Sequence, residues 1–214
     1  MIDDYIEAHI DAEPPHLRRL VNHANRSLLY CRMMSGHVQG RFLKMLTQMI
    51  RPQRVLELGT FAGYSTLCMA EALDGDRRID TVEIDDELVP FLRSHFGATP
   101  LGRHIELHTG NALDVVPALH RAGRRWDMAF VDADKRLYPQ YLDMLLRLMA
   151  PGAWIIADNT LWNGKVEQAL NGETARRDPQ LDGIMTFNRM VAANPRLEKV
   201  MLPLRDGLTI IRIK

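Results

Sequence analysis

Cysteine is scarce. The 214 residues hold two, Cys31 and Cys68, and they form no CxxC pair. That excludes a disulfide scaffold and suits a reducing compartment. A charge surplus is missing as well, because Lys plus Arg and Asp plus Glu each total 27. No global basic footprint therefore points to nucleic acid or anionic lipid. No run approaches the roughly 18 apolar residues of a membrane span. Residues 1–10 carry Asp3, Asp4 and Glu7 and no apolar h-region. No secretory signal is expected, and the expected location is cytoplasmic. The histidines include no HxxE pair and no HExxH motif, which disfavours a zinc hydrolase. Neither Ser35 nor Ser65 sits in a G-x-S-x-G elbow, so no α/β-hydrolase nucleophile is present.

What remains is an ordinary globular composition, 46% apolar and 25% charged. Surface scaling for this mass buries about 70% of the unfolded chain's area, enough for a core without staples. The expectation is one domain over residues 1–214. Helices occupy residues 1–50, and an α/β core fills residues 51–214.

Leu17, Leu20, Val21, Ala24 and Leu28 keep helical spacing, as do Phe42, Met45, Leu46, Met49 and Ile50. Pro52 ends the second helix. The pattern then changes to short apolar runs separated by helical segments. Strands are expected at 54–58, 79–84, 104–108, 126–132 and 153–158. Helices are expected at 64–73, 86–96, 112–119 and 138–149. Strand and helix in alternation predict a parallel sheet covered on both faces. A helix at 184–194 follows, then apolar runs at 197–204 and 208–213 flanking Arg205-Asp206-Gly207. Asp-Gly between such runs is a hairpin signal, so one antiparallel strand should close the sheet. Cys68 and most methionines read as packing. In such folds ligands bind beyond the carboxyl ends of the strands.

Two strand ends carry the first site. Glu57-Leu58-Gly59-Thr60-Phe61-Ala62-Gly63-Tyr64-Ser65 leads from a strand into a helix. Its G-x-x-x-G spacing is not the G-x-G-x-x-G of a dinucleotide pyrophosphate cradle. Glu83 ends the next strand, where a carboxylate can accept both hydroxyls of a ribose. A ribose without a diphosphate indicates a nucleoside-type cofactor. A plain glycine turn beside a surface acid is the competing reading. The second site lies at Asp132-Ala133-Asp134-Lys135 and Asp158-Asn159, again after strands. Asp and Asn oxygens suit Mg²⁺, Ca²⁺ or Mn²⁺ rather than a structural zinc. Aspartates that merely cap turns are the alternative.

The segment Val55 to Ala70, with Thr81-Val82-Glu83-Ile84-Asp85, resembles motifs I and II of class I S-adenosylmethionine-dependent methyltransferases. From about residue 30 onward the chain is similar to the small cation-dependent O-methyltransferases, the group that includes caffeoyl-CoA and catechol O-methyltransferases. The resemblance implies a Rossmann-like, seven-stranded, mostly parallel sheet with an antiparallel last strand and helices on both faces. It implies that Gly59, Phe61 and Ser65 line the methionine part of the cofactor. Glu57, Gly63 and Asp132 belong to the same set, and Glu83 binds the ribose. Asn111 and Ala112 meet the adenine, and Met34 and Ser35 cover the cofactor from a loop before the sheet. Asp132, Asp158 and Asn159 would bind the metal, and Lys135 would act as general base. Asp134 matches an acid of the caffeoyl-CoA branch where the animal catechol branch has tryptophan.

The charges explain the chemistry so implied. The sulfonium methyl is electrophilic, and a divalent cation lowers the pKa of a bound hydroxyl. The long polar connection 161–182, with Trp162, Lys165 and Arg176-Arg177, reads as a substrate loop or a solvated insertion. Trp162 would stack on an aromatic acceptor or anchor the loop. The amino-terminal helices carry more apolar face than a monomer needs, and the resemblance implies a homodimer. The expected acceptor is a small aromatic molecule with vicinal hydroxyls. Alternatives are a hydroxylated uridine in tRNA, which a stripe of Arg and Lys beside the site would favour, and, outside the class, a nucleotide-dependent oxidoreductase or an idle cofactor binder.

Overall fold

The computed structural model describes residues 2–173 and 178–214; Arg176 and Arg177 of the expected substrate loop lie outside them. Three helices come first: α1 (Ile2–Ala8), α2 (Pro15–Ser27) and α3 (His37–Ile50). The alternating part follows: β1 (Arg54–Leu58), α4 (Tyr64–Ala70), β2 (Arg78–Glu83), α5 (Val89–Gly97), β3 (Ile105–Thr109), α6 (Ala112–Arg121), β4 (Met128–Val131), α7 (Tyr138–Leu148) and β5 (Trp154–Asp158). The chain ends with α8 (Lys165–Leu170), α9 (Pro179–Ala193), β6 (Leu197–Leu202) and β7 (Leu208–Ile213). Pro90 falls in the first turn of α5, where its missing N–H costs nothing.

The seven strands run in the order β3-β2-β1-β4-β5-β7-β6. All neighbours from β3 to β5 pair in parallel. β7 is antiparallel to both β5 and β6. The last strand, β7, is thus antiparallel to its neighbours, as the sequence predicts. It inserts beside β5 and leaves β6 outermost. The direction of winding reverses between β1 and β4, which makes their carboxyl ends the crevice where such sheets bind ligands.

Because both sheet faces are covered, the strands are buried almost end to end. Leu56 and Leu58 of β1 pack on the α7 and α9 side with Tyr141, Leu145, Ile184 and Phe187. Val55 packs on the α3 and α4 side with Leu43, Leu46 and Met69. A third cluster joins Leu17, Leu20 and Ala24 of α2 to Leu67 and Cys68 of α4 and Leu92 of α5.

Two expectations fail here. In α3 the inner face is Leu43, Leu46 and Thr47, whereas Met45 and Met49 are 59% and 68% exposed. Fourteen residues of apolar-rich helix offer two stripes, and the sheet chooses one. Met33 and Met201 are also exposed, so methionine is not uniformly core. The 161–182 connection is not featureless either. It contains α8, and α9 begins at Pro179 with the Asp178 side chain accepting from Gln180 and Leu181 N–H as its N-cap. Among the described residues no helix is long and apolar enough to cross a membrane.

Candidate active site

The loop after β1 is organised by two buried acids. Glu57 is fully buried in β1. It accepts hydroxyl hydrogen bonds from Ser65 and Thr81, each at 2.6 Å, and from Thr66. Burial still pushes its carboxyl up to about 7, with the Asp132 charge adding to the effect. Glu83, at the end of β2, accepts from the backbone N–H of Thr60 at 3.1 Å and Phe61 at 2.7 Å through Oε2. Its Oε1 accepts from Asp85 N–H at 2.9 Å. A carboxylate has about four lone-pair sites, so one acceptor position on Oε1 stays open. Ser65 and Glu57, both expected to meet a cofactor, thus bind each other. Thr66 and Thr81 were not singled out in the sequence, although two hydroxyls flanking a buried Glu are their own signal.

Gly59 has φ +90°, and a Cβ there would sit 2.3 Å from the Asp132 carbonyl oxygen. Only glycine permits this approach. The glycine is thus explained by contact between the ends of β1 and β4, and the same contact holds Asp132 against the cofactor loop. Gly63 is likewise closed off by the Phe96 ring. Met34 and Ser35 lie between a short turn at 31–33 and α3; Ser35 is buried, and the Met34 carbonyl accepts from Arg205. Asn111 caps α6 by accepting from Leu113 N–H at 2.9 Å, and Ala112 is buried in the first turn. Gly110 N–H donates to the Glu83 carbonyl, which brings this stretch beside the β2 end.

Val131 pairs with Ala157, so Asp132 and Asp158 leave adjacent strands at the same level. Tyr138 ties the two ends together: its hydroxyl donates to the Val131 and Asp158 carbonyls, both at 3.0 Å. Lys135 is 8% exposed and its Nζ donates to Asp132 Oδ1 at 2.6 Å. α9 presses on this turn through Gly183, whose Cβ would lie 2.2 Å from the Lys135 carbonyl oxygen. Asp158 is 3% exposed. Burial and the neighbouring Asp132 hold its carboxyl well above the usual range, against donors from Gln39 and the Asn159 N–H. Asn159 has φ +56° and donates through Nδ2 to Asp206 at 3.2 Å.

The two expected substrate residues are engaged within the chain. Asp134 caps its own turn and pairs with Arg136, whose guanidinium holds the carboxyl below the usual range. Trp162 has φ +49° and its Nε1 donates to Asp178 at 3.4 Å, with the Lys165 ammonium 5.6 Å from its ring centre. The described residues hold one three-residue group of His and acidic side chains spaced for a metal: Asp80, Glu106 and His108, with ligand atoms within 4.8 Å. It lies away from the carboxyl ends of the strands, and Arg54 and Arg124 already bind its carboxylates.

The model of the O-methyltransferase family matches residues 7–214. The chain is 36% identical over 182 residues to a catechol O-methyltransferase of Niastella koreensis, covering 82% of this chain and 80% of that one. It is 35% identical over 184 residues to a caffeoyl-CoA O-methyltransferase of Petroselinum crispum, covering 84% and 76%. A crystal structure of an O-methyltransferase from Bacillus cereus in complex with SAH superposes with a TM-score of 0.90 at 29% identity, covering 100% of this chain and 97% of that one. The chain belongs to the O-methyltransferase family, of the catechol and caffeoyl-CoA type. That membership replaces the oxidoreductase alternative.

Proposed function

We propose that this chain transfers a methyl group from S-adenosylmethionine to one of two vicinal hydroxyls on a small aromatic acceptor, assisted by a divalent cation such as Mg²⁺, Ca²⁺ or Mn²⁺. One observation carries the reading. Asp132 and Asp158 leave adjacent strands together, and the charge they bring is met by one ammonium, Lys135. A pair of carboxyls with that deficit, Asp158 buried and Asp132 partly so, fits a cation, and the all-oxygen donor set fits a hard one. Asp132, Asp158 and Asn159 would hold it.

When bound, the cation supplies activation of the acceptor oxygen, and the cofactor supplies the electrophilic methyl. The chain's own residues do the rest. Glu83 fixes the backbone of Thr60 and Phe61 and keeps one acceptor position for a ribose hydroxyl. Glu57 and Ser65 hold the helix entrance where Gly59, Phe61 and Gly63 line the cofactor. Met34 and Ser35 cover it, and Asn111 and Ala112 flank its base. Lys135, once its ammonium has released a proton to solvent, takes the proton of the acceptor hydroxyl as the free amine. Asp134 and Trp162 face the acceptor. Holding the nucleophile in line with the methyl supplies several kcal/mol by positioning alone.

The names of the relatives, catechol and caffeoyl-CoA O-methyltransferase, support an aromatic acceptor. Exposed Tyr5, Tyr30, Met33, Met45 and Met49 on the amino-terminal helices and their loop support a homodimer through that surface. Light scattering that finds only a 24.5 kDa species overturns the dimer. The test of function is methyl transfer from labelled S-adenosylmethionine to caffeate by metal-stripped protein, with and without Mg²⁺. Transfer only with the cation is the expected result. Transfer without it overturns the cation's role. Absence of transfer, with cofactor binding intact, overturns the small aromatic acceptor and turns the search to tRNA.

A further inference from the structure

Three residues outside the cofactor and metal motifs are linked to Asp158 and Asn159, Gln39 and Asp206 directly and Arg205 through Gln39. Gln39 is 1% exposed in the first turn of α3. Its Nε2 donates to Asp158 Oδ2 at 2.6 Å. Its Oε1 accepts from Arg205 Nη1 at 3.4 Å, and the same nitrogen donates to the Met34 carbonyl at 2.9 Å. A primary amide has one accepting end and one donating end. A guanidinium at the accepting end leaves the donating end for the carboxylate, so Arg205 sets the orientation in which Gln39 serves Asp158.

The next residue in the chain acts on the next donor. Asp206 Oδ2 accepts from Asn159 Nδ2, which occupies the amide nitrogen and leaves the amide oxygen for a cation. The backbone of this turn also receives the loop after β5. Leu161 and Trp162 N–H donate to the Asp206 carbonyl at 2.7 and 3.1 Å, and Thr160 N–H donates to the Gly207 carbonyl at 3.0 Å. A Cβ on Gly207 would lie 2.6 Å from the Leu161 nitrogen. Arg205 itself has φ +49°, opposite Asn159 at φ +56°. Non-glycine residues hold that conformation only where surrounding contacts over-determine it.

We infer that Gln39, Arg205 and Asp206 are positioning residues: they aim the Asp158 carboxylate and the Asn159 amide oxygen at one point and couple them to the loop carrying Met34 and Ser35. The inference rests on the cation-dependent reading above and adds residues to it. A packing role alone does not account for a buried amide with both ends engaged, nor for one turn that grips the covering loop and the donor pair together.

The test uses Mn²⁺ binding to the metal-free full chain, read by electron paramagnetic resonance, and S-adenosylhomocysteine binding, read by calorimetry. Partners that orient metal ligands are worth about 10- to 100-fold in metal affinity. Gln39→Leu and Asp206→Asn should each weaken Mn²⁺ by about 10-fold or more, with S-adenosylhomocysteine affinity unchanged. Arg205→Ala should weaken both ligands, and Arg205→Lys should recover part of each. If the unaltered chain binds Mn²⁺ and Gln39→Leu and Asp206→Asn bind it equally well, the positioning role is overturned while the cation reading stands. If the unaltered chain binds no Mn²⁺, the cation reading falls and this inference falls with it. Should Gln39→Leu fail to fold by circular dichroism, Asp206→Asn decides, since it keeps the side chain's shape on a partly exposed turn.

Discussion

Two groups of carboxyls, each with one buried member, sit on the same sheet and are treated in opposite ways. Asp80 and Glu106, paired across β2 and β3, meet Arg54 and Arg124. Arg54 Nη1 lies 3.1 Å from each carboxylate, and Arg124 Nη1 lies 2.9 Å from Glu106. The Trp126 indole and the His108 ring complete Asp80 at 2.8 and 2.9 Å. Burial alone would raise the Asp80 pKa, but these donors and the Arg54 charge outweigh it and hold the carboxyl low. Asp158 is buried as deeply, yet its neighbour is another carboxylate, and its carboxyl is held high. Burial is common to Asp80 and Asp158, so the number of cations supplied makes the difference. A network whose charges are matched serves the fold. A network short of positive charge is costly to keep, and it makes sense where a ligand brings the missing charge.

Substitution at the deficient group should give the largest effect and leave the fold intact. Asp158→Asn removes a cation donor that is worth several kcal/mol to the transition state, so turnover should fall by about 1,000-fold or more. Its melting temperature should hold or rise, because a buried and poorly compensated charge is gone. Initial rates and thermal melts on the same preparation check both halves. A variant that loses stability together with activity would make Asp158 a fold residue like Asp80. Lys135→Ala comes next. A general base contributes about 100-fold or more, and the variant should lose that in turnover while calorimetry finds S-adenosylhomocysteine affinity unchanged. Equal loss of cofactor binding removes the base role.

Asp80→Asn should do the reverse. Breaking a buried pair by removing one partner costs about 3 kcal/mol or more, because Arg54 and Arg124 are left sharing Glu106. Urea unfolding should register that loss, and the Mg²⁺ dependence of the remaining activity should match the parent. A shift in that dependence would make the Asp80 group part of the reaction site.

What the sequence revealed follows the same division. Gly59, Glu83, Asp132 and the Asp158-Asn159 pair were legible because each ends a strand, and a parallel sheet puts all strand ends on one edge. The partners that tune them were not. Gln39 reaches Asp158 across 119 residues and Arg205 reaches Met34 across 171, and no local pattern records such contacts. Gly183 has the same explanation, since a helix glycine reveals nothing of the turn pressed against it. Met45 and Met49 misled because helical periodicity marks stripes and the neighbours decide which one is buried. The β6–β7 hairpin was visible in Asp-Gly, but its position against β5 was not, because turn chemistry fixes pairing within a hairpin and leaves open which strand meets the sheet.

The smallest effect separates the two kinds of carboxyl by the sign of their pH dependence. Asp80 and Glu106 have folded-state pKa values below their unfolded ones. The unfolded chain binds more protons as pH falls below about 4, so their contribution to stability, fully present above that pH, is lost on acidification. Glu57 runs the other way. Its carboxyl is raised from 4.5 to about 7 in the fold, so between those values the folded chain binds more protons and stability falls as pH rises. At 1.36 kcal/mol per unit the Glu57 contribution is at most about 3 kcal/mol. In Glu57→Gln the loss of stability between pH 5 and 7 should become shallower, with raised Asp158 supplying the remainder, while the acid limb stays. In Asp80→Asn the acid limb should flatten while the neutral slope stays. Urea midpoints at half-unit pH intervals measure both slopes. If both variants flatten the same limb, the two groups are one electrostatic system, and the contrast between them disappears.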